Sequence, residues 1–316
     1  MTKAVAVHAL IRRIPLLLPF LAVFAAHADP GRLTHVAVAS PAVRFTAPAL
    51  LADEAREDSP ELRSRAFTII DQLTGHILIE RNAGDVQPIA SLTKLMTAMV
   101  VLDRRQSLSE VLTVTRDDVD TLRHSRSRLP VGARLSREDL LRLALMASEN
   151  RAASALARNY PGGLGAFVRA MNAKARSLGL SHTHFAEGTG LSADNVSTAR
   201  ELARMALAAS RYPLIRAFTT TSSYAVDLKG RQREFRNTNS LTRDPDWEIG
   251  LSKTGYIREA GRCLVMQAWL QGRPVLIVLL DSFGKYTRTA DARRLRRWLA
   301  ERPWERVLVA HKDVTG

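Results

Sequence analysis

Pro88-Ile89-Ala90-Ser91-Leu92-Thr93-Lys94-Leu95-Met96 is the stretch around which the chain is organised. From Ser91 onward Leu92, Leu95, Met96 and Met99 recur at helical spacing, which predicts a helix opening at Ser91 and ending near Asp103. Ser91 and Lys94 are three residues apart, so on a helix the hydroxyl and the amine share one face within reach of each other. A serine hydroxyl is a poor nucleophile until a base takes its proton. A lysine held in a partly dry pocket has a lowered pKa and can act as that base. A serine on the first turn also sits where backbone N–H groups point outward and favour negative charge.

Alone the pair is a weak signal, since roughly one Ser-x-x-Lys match arises by chance in a chain of this length. A second match, Ser282-Phe283-Gly284-Lys285, serves as the control. It follows the apolar run Val275 to Leu280 and contains a glycine, so it reads as a strand end and turn. Partners elsewhere separate the two. Ser148-Glu149-Asn150 follows a helical run from Arg137 to Ala147, and Lys253-Thr254-Gly255 follows Ile249-Gly250-Leu251-Ser252, which reads as a strand. A Ser-x-x-Lys, a Ser-x-Asn and a Lys-Thr-Gly in that order form the three-part site of penicillin-binding proteins and class A β-lactamases.

Composition agrees with an exported globular domain. The chain has 316 residues, 46% hydrophobic and 24% charged, enough for two lobes around substantial cores. Lys3, Arg12 and Arg13 precede the apolar run Ile14 to Ala26, and Ala26-His27-Ala28 fits a cleavage site, so residues 1–28 read as a secretory signal peptide. The run is too short for a membrane span and carries Pro15 and Pro19. The only cysteine is Cys263, so no internal disulfide forms and no lipid-accepting cysteine follows the signal. Cys263 lies in an apolar strand run and reads as a small core residue. The formal charge of +15 suggests a polyanionic partner. For an exported protein that is cell-wall polymer or an anionic membrane surface rather than nucleic acid. The densest basic cluster, Arg293-Arg294-Leu295-Arg296-Arg297, reads as the solvated face of a terminal helix, with weak membrane-surface contact as the lesser alternative.

Residues 29–64 are rich in Ala, Pro and charge and read as a flexible lead-in. Ala66 to Asp71 and His76 to Glu80 form two β runs about a polar turn, a predicted hairpin. The segment 112–135 reads as short strands and polar loops. Ser136 caps a buried helix from Arg137, and Asn150 to Asn159 continues as another, stopped by Pro161-Gly162-Gly163. Phe167 to Leu178 and Thr198 to Ser210 are helical. Ser223 to Leu228 and Arg233 to Asn237 alternate as strands about Lys229-Gly230. Gly250 to Thr254, Arg262 to Leu270 and Val275 to Leu280 read as three sequentially paired strands, and Ala290 to Glu301 as a closing helix. Strands at both ends with helices between imply an α/β (α+β) chain with a mainly antiparallel sheet.

The chain resembles the low-molecular-mass penicillin-binding proteins of the D-Ala-D-Ala peptidase S11 group, and within it the D-alanyl-D-alanine endopeptidases. The likeness runs from about Ala66 to Leu299. Beyond the three motifs it includes Tyr160-Pro161-Gly162-Gly163, Asn195-Val196-Ser197-Thr198-Ala199-Arg200, Phe235-Arg236-Asn237-Thr238-Asn239 and Phe283-Gly284-Lys285-Tyr286. The resemblance implies a penicillin-binding-protein/β-lactamase-like fold: a five-stranded antiparallel sheet, flanking helices and a helical lobe, with the site between them. It implies a peptidase domain at 65–302 and a tail at 303–316. Carboxypeptidase relatives carry a further C-terminal β domain, for which the residues after Lys253 are expected to leave no room.

The resemblance also implies roles. Ser91 is the acylated nucleophile and Lys94 takes its proton. Ser148 relays a proton to the leaving amine, and Asn150 holds the substrate amide. Lys253 supports the charge network, and Thr254 binds the carboxylate beside the scissile bond. Gly255 leaves space for the substrate to pair with its strand, and the backbone N–H groups of Ser91 and Tyr256 form the oxyanion hole. The implied substrates are peptidoglycan stem peptides and crosslinks in the periplasm, with β-lactams as covalent inhibitors and no cofactor or metal. The expected activity is serine DD-endopeptidase, with D-Ala-D-Ala carboxypeptidase as the alternative. A β-lactamase is disfavoured because no Glu-x-x-Leu-Asn stretch lies between Asn150 and Lys253, and a penicillin sensor because no later transmembrane run exists. A metal peptidase is disfavoured because His182, His184 and nearby Glu187 lie in a polar loop without a His-Glu-x-x-His helix.

Overall fold

Two apolar runs from opposite ends of the chain meet side by side and close the fold. The first is β1 (Ser64–Asp71), which turns back on β2 (Ile77–Arg81) as the expected hairpin. The chain continues through β3 (Gln87–Pro88), α1 (Thr93–Asp103), β4 (Val111–Thr113), β5 (Arg134–Ser136), α2 (Arg137–Met146), α3 (Asn150–Arg158) and α4 (Gly163–Ser177). It then forms β6 (Val196–Ser197), α5 (Ala199–Ala209), α6 (Pro213–Thr220), β7 (Ser223–Asp227) and β8 (Gln232–Arg236). The last part is β9 (Glu248–Ile257), β10 (Gly261–Leu270), β11 (Arg273–Ser282) and α7 (Thr287–Ala300). This computed structural model describes residues 59–302 and 304. The signal peptide expected at 1–28, most of the lead-in at 29–64 and, Trp304 apart, the tail at 303–316 lie outside the described residues.

The main sheet has five strands in the order β2-β1-β11-β10-β9, and every neighbouring pair is antiparallel. β1 and β11 register Ala66 with Leu280 and Asp71 with Val275, which ties the two ends of the fold together. Both faces of the sheet are covered, so β11 is apolar from Val275 to Leu280 without alternation. One face packs Ile70, Val265, Val278 and Leu280 against the helices α1 to α6. The other packs Ile69, Leu264, Met266 and Ile277 against Leu295 and Leu299 of α7. Among the described residues β9 lies at the sheet edge, paired with a strand on one side only.

Local chemistry sets most element ends. Ser136 Oγ accepts a hydrogen bond from Asp139 N at 3.0 Å, the cap read from the sequence. β7 and β8 pair as a separate hairpin about Lys229-Gly230. Three features differ from the sequence reading. The helix at Ser91 starts two residues late: Ala90–Leu92 is a 3-10 turn and α1 opens at Thr93. Ala90 has φ +48°, a left-handed conformation that cannot belong to an α-helix. α4 opens at Gly163 rather than Phe167, because Gly162 at φ +88° turns the chain straight into it. α6 went unread. It is a short helix with Pro213 at its first position and only Ile215, Phe218 and Thr219 buried.

Candidate active site

Three walls meet around Ser91. The Ser91 turn forms the first, the Ser148–Asn150 segment at the head of α3 the second, and β9 the third. Lys94 Nζ lies 2.8 Å from Ser91 Oγ and donates to Asn150 Oδ1 at 2.7 Å and to the Thr189 carbonyl at 2.5 Å. Lys253 Nζ donates to Ser148 Oγ at 2.9 Å and to the Thr254 carbonyl at 2.8 Å. Thr254 Oγ1 and Thr238 Oγ1 are 2.6 Å apart, and Asn150 Nδ2 donates to Ser125 Oγ at 2.9 Å. The structure therefore brings Ser91, Lys94, Ser148, Asn150, Lys253 and Thr254 to one place, although Ser91 and Thr254 are 163 positions apart in the chain. Tyr256 follows on β9 with its ring 56% exposed and the Arg262 guanidinium stacked 4.6 Å from the ring centre.

Burial sets the electrostatics. Lys94 is fully buried, and desolvation lowers its pKa to about 8 even though Glu187 and Glu149 pull it upward. Lys253 is also buried. Desolvation first, then the charges of Lys94 and Arg288, push its pKa well below that of a free lysine. An amine with its pKa brought down to about 8 has a neutral fraction near physiological pH, and that form, touching a hydroxyl, can accept the hydroxyl's proton. Two residues of the site hold left-handed backbone, Ala90 at φ +48° and Ser148 at φ +59°. Such conformations are costly for residues with a Cβ and concentrate at functional sites.

The Ser91 turn is clamped from both sides by glycines. A Cβ on Gly255 would meet the Ile89 carbonyl at 3.0 Å and Ser91 N at 3.3 Å. The β9 backbone therefore lies directly against the turn, which adds a second reason for glycine here beside room for substrate. On the other side a Cβ on Gly190, at φ +81°, would lie 2.0 Å from the Ala90 carbonyl oxygen. The loop carrying Gly190 was not part of the predicted site, and neither was Arg288. From the first turn of α7, Arg288 donates to the Gly255 carbonyl at 2.9 Å and to the Cys263 carbonyl at 3.3 Å. Its pKa is lowered to about 10 by desolvation and by Arg262. Arg123 was also missed. It donates to the Leu191 carbonyl at 2.5 Å and pairs with Glu259 at 2.9 Å, joining the Ser125 loop to the β9–β10 turn. These residues act through backbone carbonyls and loop contacts, so no side-chain motif announces them.

The control pair is placed elsewhere. Ser282 Oγ is buried 2.6 Å from Ser64 Oγ, while Lys285 Nζ sits 5.3 Å from the Tyr286 ring centre. Cys263 is fully buried, and desolvation raises its thiol pKa to about 11, as a core cysteine requires. His182 Nδ1 lies 3.0 Å from Glu201 Oε1, and Glu187 turns onto its own loop, so the His182, His184 and Glu187 trio does not converge.

The chain is similar to known proteins. Residues 53–284 match the peptidase S11 family, described as D-alanyl-D-alanine carboxypeptidase, and the match begins inside the lead-in expected at 29–64. A D-alanyl-D-alanine endopeptidase of Pseudomonas aeruginosa is 52% identical over 241 residues, covering 76% of this chain and 78% of the relative. One from Escherichia coli is 46% identical over 266 residues, covering 84% of each. Among solved structures, a Streptomyces DD-transpeptidase superposes with a TM-score of 0.70 at 28% identity, over 76% of this chain and 98% of that one. A D-alanyl-D-alanine carboxypeptidase from Mycobacterium tuberculosis gives 0.71 at 26% identity, over 82% and 97%. The fold is that of the DD-peptidases, and because the family match runs unbroken through all three walls of the cleft, the chain belongs to the peptidase S11 family.

Proposed function

We propose that the chain is an exported serine DD-endopeptidase that hydrolyses D-alanyl-diaminopimelate crosslinks of peptidoglycan through an acyl-enzyme on Ser91. The observation that carries the reading is the buried Lys94 amine 2.8 Å from Ser91 Oγ. In this mechanism Lys94 takes the Ser91 proton as the oxygen attacks the D-alanyl carbonyl. Ser148, bonded to Lys253, passes a proton to the departing amine. Asn150 holds the substrate amide, and Thr254 binds the carboxylate next to the scissile bond. The backbone N–H groups of Ser91 and Tyr256 stabilise the oxyanion, and Gly255 admits the substrate alongside edge strand β9. Water then releases the acyl group. Penicillins enter by the same first step and stay bound. The endopeptidase names of the relatives at 52% and 46% identity support the crosslink as substrate.

The crosslink also suits the chemistry. Its diaminopimelate centre carries a free carboxylate beside the scissile amide, as terminal D-Ala does, so one subsite at Thr254 serves both. The family description favours D-Ala-D-Ala carboxypeptidase as the second reading. A class A β-lactamase needs a glutamate free to drive water onto the acyl-enzyme. The two acidic groups whose charge reaches Lys94 are both engaged: Glu149 accepts from Ser127 Oγ at 2.6 Å, and Glu187 from its own loop.

Digestion of purified dimeric muropeptides, followed by mass analysis, decides between the first two. The expected products are monomers, with little cleavage when the diaminopimelate carboxylate is amidated. A buried polar subsite left without its partner costs about 1–3 kcal/mol. Intact dimers beside free pentapeptide that has lost its terminal D-Ala would establish the carboxypeptidase. Export is tested separately. The periplasmic protein is expected to begin at Asp29, read by N-terminal sequencing, and full-length protein retained in the membrane refutes this.

A further inference from the structure

The loop between α4 and β6 folds around one carboxylate. Glu187 Oε1 accepts from Gly190 N at 2.6 Å, Leu191 N at 3.0 Å, Ser192 N at 3.4 Å and Asn195 Nδ2 at 3.0 Å. Glu187 Oε2 accepts from Thr189 N at 2.5 Å and from Thr189 Oγ1 at 2.6 Å. Both oxygens are saturated, so Glu187 has no lone pair left with which to activate a water. What it does is hold the loop, and the loop holds the reacting pair.

The contacts are direct. The Thr189 carbonyl, two residues from Glu187, accepts from Lys94 Nζ at 2.5 Å. The Gly188 carbonyl accepts from Thr97 Oγ1 at 2.6 Å, one turn further along α1. Gly190 packs so closely on the Ala90 carbonyl that no side chain fits between them. Asn195 donates its Nδ2 to Thr93 Oγ1 at 3.0 Å, and its carbonyl accepts from Ile89 N at 3.0 Å. The nucleophile turn, with its left-handed Ala90, is thus held at Ile89, Ala90 and Thr93 by the segment that Glu187 gathers.

We infer that Glu187 is the positioning residue of this site: through the loop 187–195 it fixes the Ser91 turn and Lys94 relative to each other, and its charge sits close enough to act on the Lys94 amine. The inference rests on the reading of Ser91 as nucleophile and Lys94 as its base. The charged groups facing Lys94 are Glu187 from the loop, Glu149 from the head of α3 and Lys253 from β9; Ser91 and Asn150 are neutral. Glu187 heads the two acidic contributions that oppose desolvation. Removing its charge therefore moves the Lys94 pKa downward, and the neutral, proton-accepting amine persists to lower pH.

The test is the pH profile of the acylation rate constant with a fluorescent penicillin, measured on the exported wild-type protein, Glu187→Gln and Glu187→Asp, with thermal melting alongside. Glu187→Gln keeps the shape and removes the charge. Its plateau rate is expected to fall on the order of tenfold to a hundredfold as the loop loosens, since an ångström of misplacement costs that much. Its acid limb moves to lower pH by about half a unit or more. Glu187→Asp keeps the charge on a shorter stem, so its limb stays near the wild-type position while the rate drops. Equal rate losses in both variants with the limb unmoved would show a purely structural residue and overturn the inference, as would a wild-type profile in Glu187→Gln. Where Glu187→Gln does not fold, Glu187→Asp decides alone: a reduced rate at the wild-type limb supports the inference, and a full rate or a displaced limb overturns it. Absence of acylation in the wild type would instead refute the proposed function.

Discussion

Ser91→Ala abolishes covalent labelling by a fluorescent penicillin, and Ser282→Ala labels as the wild type does. The chain offers two Ser-x-x-Lys segments, so the experiment carries its own control. At Ser91 the hydroxyl faces a buried amine that two further partners, Asn150 Oδ1 and the Thr189 carbonyl, hold in place. At Ser282 the hydroxyl ends β11 inside the protein, bonded to Ser64 Oγ, which also donates to Asp291 Oδ2 at 2.6 Å. Lys285 sits beyond Gly284 in an exposed turn with its amine near Tyr286. The loss at Ser91 is expected to be complete, because the acyl bond is made to that oxygen and alanine has none. Ser282→Ala removes one of the two hydrogen bonds of the Ser64 hydroxyl, worth about 1 kcal/mol of stability, and leaves the cleft untouched. Gel fluorescence, with mass spectrometry of the labelled peptide, reads both. Labelling that survives Ser91→Ala and vanishes in Ser282→Ala would overturn the assignment.

How far the sequence carried depends on how each residue acts. The sheet was legible because covered strands must be apolar throughout, and Val275 to Leu280 can be little else. The Lys94–Ser91, Ser148 and Lys253 cluster was legible because reactive side chains at fixed spacing leave a motif. The start of α1 was misjudged because the periodicity of Leu92, Leu95 and Met96 says nothing about φ at Ala90. Only the packing of Gly190 and Gly255 against that turn explains the left-handed residue. Glu187 entered the sequence reading only beside His182 and His184 in a disfavoured metal cluster, because its partners are backbone N–H groups, which every sequence possesses. The one trace was the density of small residues after it, Gly188, Thr189 and Gly190, which lets a loop fold back onto its own carboxylate. Arg288 left no trace at all, since it reaches the site through the carbonyls of Gly255 and Cys263.

The acylation rate of the wild type rises with pH through about 8, and Lys94→Gln loses both the rate and the rise. Desolvation depresses the Lys94 pKa to about 8, and only the neutral form carries the lone pair that accepts the Ser91 proton. The sign follows. Below pH 8 the amine is mostly protonated and the rate falls about tenfold per unit; above it the rate levels off. From pH 7 to pH 9 the neutral fraction grows roughly tenfold, from about a tenth to about nine tenths. Lys253 is also buried, and desolvation first, then the charges of Lys94 and Arg288, hold its pKa well below that of a free lysine. Glutamine at position 94 keeps a donor for Asn150 and Thr189 and removes the base. A positioned base typically contributes roughly 10²–10⁴-fold, and that is the expected fall in the acylation rate constant, measured by stopped-flow or timed gel labelling. Lys253→Gln separates the partners. It breaks the bond to Ser148 and leaves the base in place, and the limb stays near the wild-type position because the Lys94 amine is shifted by burial, Glu187 and Glu149. A Lys94→Gln protein that keeps its limb near pH 8 with only a small loss of rate, beside a Lys253→Gln protein that loses both, would transfer the role of base to Lys253 and leave Ser91 as the nucleophile.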